Sequence, residues 1–350
     1  MTSRLRKRLT GMATVLALAA TISACALEDD EGSATTEDGE TVVKIGYLHT
    51  VAVDTHMWLG IEEGIFEKHG LKIDPVPFDT GIEESQALSG GSVDVAMMGG
   101  VLSNFPATGS GTVFLANDVE FDTAQLWAAP DSGIESVADL EGKKVATTEG
   151  TTAHVYLYNA IKEAGIDPDS VDILNTEMPA AVSAFVSGNV PAVALWVPFD
   201  ESVKKDVEGA KMIDSAKEYY PKSAILGGWA ASDDMYDGDK EVLEKLTAAW
   251  LEINDELVNN TDEALTTVHE SAYADTQELA DTKRQFSFAR LYPNDKWAKL
   301  WKDGEVENWI GQAEQIFVDV GGIPEFVDPS EFVDTSIFLD AYDEWKADSK

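Results

Sequence analysis

The chain has 350 residues, 44% apolar and 25% charged, with a formal charge of −39. That length allows two domains, and the composition is that of a globular protein. The charge excludes nucleic acid, whose phosphates would be repelled, and the single cysteine excludes intrachain disulfides and cysteine-ligated metal.

In chain order, Arg4, Arg6, Lys7 and Arg8 precede a short apolar run (12–20) that ends in Ile22-Ser23-Ala24-Cys25. This is the layout of a signal peptide, with an apolar segment too short for a stable membrane anchor. Small residues just ahead of Cys25 look like a bacterial lipobox, so residues 1–24 are expected to be a lipoprotein signal. Lipidated Cys25 then tethers the protein to the outer face of the cell membrane; several acyl chains hold stably where one does not. Without the signal's four basic residues the remainder carries −43. ALEDDEGSATTEDGE (26–40) is polar and acidic and, with Cys25, reads as a disordered tether over 25–40.

From there strands alternate with helices. VVKIGYLHT (42–50) is a strand, VAVDTH (51–56) a loop, MWLGIEEGIFEKHG (57–70) a helix and LKIDPVPF (71–78) a strand. A helix starts near GIEESQAL, VDVAMMG (93–99) is a strand, and VLSNFPATG is a helical turn. VFLANDV and AQLWAAP are further strands. KKVATTE, VDILNTE and AVALWVP are strands separated by helices at TTAHVYLYNAIKEAG and PAAVSAFVSG. PFDESVKKDV is a helix, and KMIDSA and AILGGWAAS are the last strands. Alternation at these lengths predicts βαβ units. From about Asp233 the pattern is helical, with an apolar stripe at Val242, Leu243, Leu246, Ala249, Trp250 and Ile253. Trp297, Trp301, Trp309 and Trp345 fall on helices and read as packing.

Ligands of open α/β sheets bind beyond the carboxyl ends of strands. The residues there are Thr50 with the VAVDTH segment, then Asp79, Thr80 and Gly81, and Gly99, Gly100 and Val101. The remaining two groups are Thr151, Thr152, Ala153 and His154, and then Val197 and Pro198. Thr151 is a plausible helix N-cap, and the amides of Thr152, Ala153 and His154 could face one anion with the helix dipole behind them. The same residues also suit a plain capped helix start with His154 packed inside. Trp196 is either core or a cleft wall, and Trp229 lies near another strand end. The histidines show no zinc spacing, HESAY (269–273) lacks a second histidine, and no nucleophile elbow or P-loop occurs. No catalytic set, metal site or cofactor is expected.

Several of these segments resemble the taurine- and alkanesulfonate-binding proteins of ABC importers, a branch of the type II periplasmic binding protein fold. They are LGIEEGIFEKHGLKIDPVPF, FDTG, ALSGGSVDVAMMGG, IESVADLEGKKVAT, GTTAHVYL and ALWVP, in that order. The resemblance implies a two-lobed α/β protein with a helical C-terminal extension (233–350). Lobe 1 spans 41–120 and is completed by 221–350, and lobe 2 spans 121–220. Crossings near 118–123 and 217–221 form the hinge. It implies that the helix start at 151–154 holds a sulfonate. Trp196 and the loops at Thr50, 79–81 and 99–101 close around the remainder. Partners are then a membrane permease with its cytoplasmic ATPase, and the binding protein is a monomer. Taurine-binding members carry an Asp for the ligand amine where this chain reads AILGGWAAS. Either Asp54 or Asp79 replaces it or the ligand lacks an ammonium group, and Trp229 favours a larger or more apolar tail. Nitrate, an aromatic sulfonate and a pyrimidine-type ligand are the alternatives within importers. A ligand-sensing adapter and a pyrimidine-precursor synthase are the alternatives outside them, although the synthases use cysteine and clustered histidines.

Overall fold

The computed structural model describes residues 35–36, 39–104 and 111–348. Cys25, the signal segment and most of the tether, on which the anchoring expectation rests, lie outside the described residues.

Among the described residues ten strands form two five-stranded sheets of the same design. The first has the order β2-β1-β3-β10-β4: β1 (Thr41–Leu48), β2 (Leu71–Phe78), β3 (Val95–Met98), β4 (Thr112–Val119) and β10 (Leu226–Ala231). The second has the order β7-β6-β8-β5-β9: β5 (Ala124–Ala128), β6 (Lys144–Thr147), β7 (Asp172–Asn175), β8 (Ala192–Trp196) and β9 (Lys211–Ser215). In each, three strands run parallel (β1, β2, β3 and β6, β7, β8), and an antiparallel strand (β10 or β5) follows. The chain passes to the second sheet between β4 and β5 and returns between β9 and β10. Because β10 pairs with both β3 and β4, the first sheet is complete only after that return.

The inner parallel strands β1, β3 and β8 are rich in Val, Ile and Ala and largely buried, as strands covered on both faces must be. Helices α1 (Val51–Glu62), α2 (Ile65–Lys68) and α3 (Gly81–Ser89) belong to the first sheet. Helices α4 (Thr152–Glu163), α5 (Met178–Val186) and α6 (Asp200–Asp206) belong to the second. One sequence expectation fails here. VAVDTH is not a loop but the opening of α1. Its β-branched and polar residues hide the helical period because Val51, Val53, Asp54, Thr55 and His56 are all buried, so no polar face remains to be read.

The C-terminal third is helical: α7 (Asp233–Gly238), α8 (Lys240–Asn259), α9 (Thr261–Val268), α10 (Leu279–Phe286), α11 (Asn294–Lys302), α12 (Glu305–Asp319) and α13 (Thr335–Asp348). The stripe on α8 is buried against the first sheet's core, with Trp250, Trp297 and Trp301. Helix α12 divides its buried face. Val306, Trp309 and Ile310 join the first core, whereas Ala313, Ile316 and Phe317 join the core around β5, β6 and α4. The segment 221–350 is therefore not packed on the first sheet alone.

His56 sits inside this helical packing. Its ring stacks on Trp250 (centroids 5.1 Å, planes 13° apart), and Nε2 lies 3.2 Å from Asn254 Oδ1. Burial pushes the imidazole from 6.5 down to about 4. Between those values the unfolded chain binds a proton that the folded chain refuses, so this group's contribution makes stability fall as pH drops from 6.5 towards 4. The loss is roughly 2–3 kcal/mol at pH 4.5. Urea unfolding of wild type and His56→Gln at pH 7 and pH 4.5 checks this: the variant is expected to lose less stability on acidification, by that margin. Equal losses would contradict the neutral buried imidazole.

Candidate functional site

The carboxyl ends of both sets of parallel strands face one cavity, whose enclosed space is about 40 Å³. From the first sheet come Leu48, Thr50, Val51, Ala52 and Val53 after β1, Gly81 after β2, and Gly99 and Val101 after β3. Glu120 and Thr123 lie on the first crossing. Thr151 and Thr152 follow β6, Trp196 and Val197 end β8, and Gln285 arrives from α10. The space admits a few water-sized groups, the dimension of a small polar head.

Three helices of nine or more residues begin at this cavity: α1, α3 and α4. At each, the amides of the third and fourth helical residues turn back onto the cap residue, Thr50, Thr80 or Thr151. The first two amides (Val51 and Ala52, Gly81 and Ile82, Thr152 and Ala153) have no hydrogen-bond partner among the described residues. Thr151 does not cap with its side chain; its hydroxyl donates to the Thr148 carbonyl (2.7 Å). Each helix start contributes about half a positive charge, so three of them make a cavity positive without any cationic side chain.

The sheets also touch here. The Gly100 amide donates to Thr152 Oγ1 (2.9 Å), and that hydroxyl lies 3.2 Å from Glu120 Oε1, to which it donates. Thr123 donates to Glu120 Oε2 at 2.5 Å. A Cβ at Gly99 would fall 2.2 Å from Glu120 Oε1, so only glycine leaves room for that carboxylate. Burial raises the Glu120 pKa against the lowering effect of hydrogen bonds from Thr123, Thr152 and the Gly100 backbone. Asp118, two residues earlier, is buried with neither oxygen hydrogen-bonded, and burial together with the Glu120 charge pushes its pKa well up. Of this pair Asp118 is driven further towards its neutral form, while hydrogen bonds hold the rise at Glu120 back.

A second contact spans the sheets. Arg284 on α10 reaches Asp200 (3.0 Å) and Glu201 on α6, and Gln285 donates to Glu201 at 2.9 Å. Arg284→Ala is expected to remove about 1 kcal/mol from this contact between α10 and α6, the value of a pair whose arginine is partly exposed. Small-angle scattering of the ligand-free variant is expected to show a larger radius of gyration than wild type; identical curves would exclude a clamping role.

Of the residues singled out in the sequence, Thr50, Gly81, Gly99, Val101, Thr151, Thr152 and Trp196 line the cavity. The others do not. Asp54 is fully buried in the first turn of α1, accepting from His49 Nδ1 (2.8 Å), Trp58 Nε1 (3.1 Å) and Tyr273 Oη (2.5 Å), so it is not a free carboxylate for a ligand. Asp79 is exposed at the turn before α3, and Thr80 caps that helix through the Glu83 amide (3.2 Å). Gly100 lies behind the wall and meets Thr152. Ala153 is core. His154 is buried; its own amide bonds the Thr151 carbonyl (3.0 Å), and its Nδ1 accepts from the Gly150 amide (3.2 Å). It braces the turn before α4. Pro198 follows Val197 without lining the space. Trp229 is in the core of the first sheet, edge-on to Phe114, and gives no reason to expect a larger tail. Sequence reasoning missed Glu120, Thr123 and Gln285. Glu120 is one of 64 acidic residues, and nothing local marks it; only its place on a crossing between sheets carried a signal. Gln285 reaches the site through tertiary packing alone.

Comparisons with known proteins place the fold. The chain is 26% identical over 290 residues to a candidate binding protein of Brucella abortus, covering 83% of this chain and 89% of that one. It is 24% identical over 200 residues to the taurine-binding periplasmic protein of Escherichia coli K12, covering 56% of this chain and 61% of that one. Among solved structures it is similar to the alkanesulfonate-binding protein SsuA from Xanthomonas axonopodis pv. citri bound to MOPS. The TM-score is 0.67 at 20% identity, over 83% of this chain and 97% of that one. The two-sheet architecture with its helical C-terminal region is that of the type II periplasmic binding proteins. Residues 53–264 match the NMT1/THI5-like family, and the chain belongs to it.

Proposed function

We propose that this chain is the extracytoplasmic solute-binding component of an ABC importer, capturing a small sulfonate between its two sheets and delivering it to a membrane permease driven by a cytoplasmic ATPase. The observation that carries the reading is the convergence of three helix starts, with unpartnered amides, on one cavity. A tetrahedral oxyanion accepts several such hydrogen bonds at once. The walls provided by Leu48, Val51, Val53, Val101, Trp196 and Val197 suit a short apolar tail, which nitrate lacks. Capture inside a molecule of charge −43 once the signal is removed needs such a local donor cluster, because the long-range field repels anions.

In this reading lobe 1 (41–120 with 221–350) and lobe 2 (121–220) close by hinging at 118–123 and 217–221, and α12 packs along both cores. Closure is a population shift stabilised by ligand. The contacts of Thr152 with Gly100 and of Arg284 with Asp200 fit the closed form. Lipid on Cys25 holds the protein at the outer face of the membrane, and one monomer serves one permease encounter.

A thermal-shift screen of sulfonates, sulfate esters, nitrate and pyrimidines tests the ligand class. A ligand at 100 times its Kd stabilises by about 2.7 kcal/mol, and sulfonates are expected to give the largest rise. Stabilisation by nitrate or pyrimidines with none from any sulfonate overturns the proposal.

A further inference from the structure

Arg284 and Arg290 are the only arginines among the described residues, and both reach beyond the helical third that carries them. Arg284 meets α6. Arg290 lies on a segment (288–292) that pairs with the first crossing between the sheets. Val119 and Arg290 exchange both amide–carbonyl hydrogen bonds (2.9 Å each), and the Asp122 amide donates to the Phe288 carbonyl (2.7 Å). The Glu120 amide between them donates to the Ile225 carbonyl of the returning chain (2.8 Å). The Arg290 guanidinium stands 3.7 Å from the ring centre of Phe121, on the first crossing, and 5.3 Å from that of Tyr220, on the second. Those two rings meet edge to face at 5.6 Å, and the Tyr220 and Tyr292 hydroxyls share a hydrogen bond of 2.5 Å. The Tyr292 carbonyl in turn accepts from Asn254 Nδ2 on α8 (2.9 Å), so the segment is fastened to the helical third.

We propose that this segment is a third strand of the hinge, that Arg290 is the residue positioning both crossings, and that bending is confined to two short links. The proposal rests on the hinge-closure reading above. On the first crossing the amides of Val119, Glu120 and Asp122 are held on the lobe 1 side, whereas the Thr123 carbonyl already accepts from the Val197 amide at the end of β8 (2.9 Å). The bend therefore falls at Asp122–Thr123, where the Asp122 carboxylate reaches forward to accept from Ser215 (2.6 Å) and Lys217 (2.9 Å). On the second crossing Tyr219 still belongs to lobe 2 through its hydrogen bond to Asp214 (2.9 Å), while Tyr220 and Pro221 are held by Arg290, Tyr292 and Trp309. Its bend falls at the end of the turn Ala216–Tyr219. A hinge needs only a few residues that absorb the change in backbone angles. Cation–π attraction holds a charge over a ring face, so a guanidinium shared by the two rings keeps the crossings from twisting against each other.

Hydrogen exchange resolved by NMR in the ligand-free full chain tests this without any solute. The Gly100 amide, bonded across the lobes to Thr152, is expected to exchange at least about a hundredfold faster than the amides of Val119, Glu120, Asp122 and Arg290, because only it is released on opening. Fast exchange at the four crossing amides overturns the inference and leaves hinge closure in place, with the bend spread over 118–123. Slow exchange at all five means that the lobes do not part, and removes the closure reading as well. Arg290→Met is expected to speed exchange at Val119 and Asp122 about tenfold while the buried Ile45 in β1 and Ala146 in β6 keep their rates. Arg290→Lys, which keeps a cation but not the planar fork, should recover part of the protection. If Arg290→Met does not fold, Phe121→Leu removes one face of the same stack and is expected to act alike. Unaltered exchange at the crossing amides in the folded variant overturns the part assigned to Arg290.

Discussion

Gly100→Val is expected to weaken solute binding about a hundredfold while leaving the melting temperature of the ligand-free protein nearly unchanged. A Cβ at position 100 would lie 2.7 Å from Ile225 Cγ2, 3.0 Å from Thr152 Oγ1 and 3.2 Å from Thr152 Cα. The Thr152 contacts exist only when the second sheet's α4 stands against the turn after β3. In the proposed hinge closure the side chain acts as a wedge between the lobes, and with them apart only the Ile225 methyl has to rotate aside. Overpacking a fixed contact costs about 1–3 kcal/mol, and a cost borne only by the closed form appears as lost affinity. Gly100→Ala, with one methyl, should lose about tenfold. Calorimetric titration with whichever sulfonate gives the largest thermal shift provides the measurement. Wild-type affinity in Gly100→Val would show that the ligand-bound form does not contain the Gly100–Thr152 hydrogen bond, and with it the assignment of α4 to the site would fall.

The alternation of strand and helix was readable because strands buried on both faces are apolar runs, and Gly70 and Gly165 mark helix ends. Both glycines adopt positive φ, where a side chain would be strained. The first turns of α1 were not readable. Asp54 and His56 look like loop residues until their partners, Tyr273 and Asn254, are brought from more than 190 positions away. For the site the division is similar. Residues at strand ends are placed by local rules, and several of them meet at the cavity. Whether a residue at such an end turns inward depends on the packing of the neighbouring sheet. Trp229 lies in the core of the first sheet and His154 braces the turn before α4, which neither strand-end position nor resemblance indicates. Glu120 shows the converse. Its chemistry comes from dehydration, Gly99 and two hydroxyls, none adjacent to it in sequence.

Trp250→Ala should be the most destabilising single change outside the cavity, costing about 4 kcal/mol and lowering the melting temperature by roughly 8 °C or more. The side chain is fully buried between His56 and Phe338, with ring centroids 5.1 and 6.0 Å away. Its Nε1 donates to Asn117 Oδ1 at 3.0 Å, and Asn117 Nδ2 in turn reaches the carbonyls of Ala52 and Val53 at 3.4 and 3.5 Å. One tryptophan thus connects the C-terminal helices, the outer strand β4 of the first sheet and the helix start that lines the cavity. Trp250→Phe keeps most of the volume but strands the Asn117 oxygen, and about 1–2 kcal/mol is expected from that loss. Opening a cavity beside His56 also relieves its dehydration, so its imidazole should titrate closer to 6.5 in Trp250→Ala than in wild type. Calorimetry and the His56 ring resonances followed by NMR against pH report the two effects separately. A loss below about 1 kcal/mol with an unmoved His56 titration would mean that the helical third contributes little to the first lobe, and that the start of α1 is positioned by β1 alone.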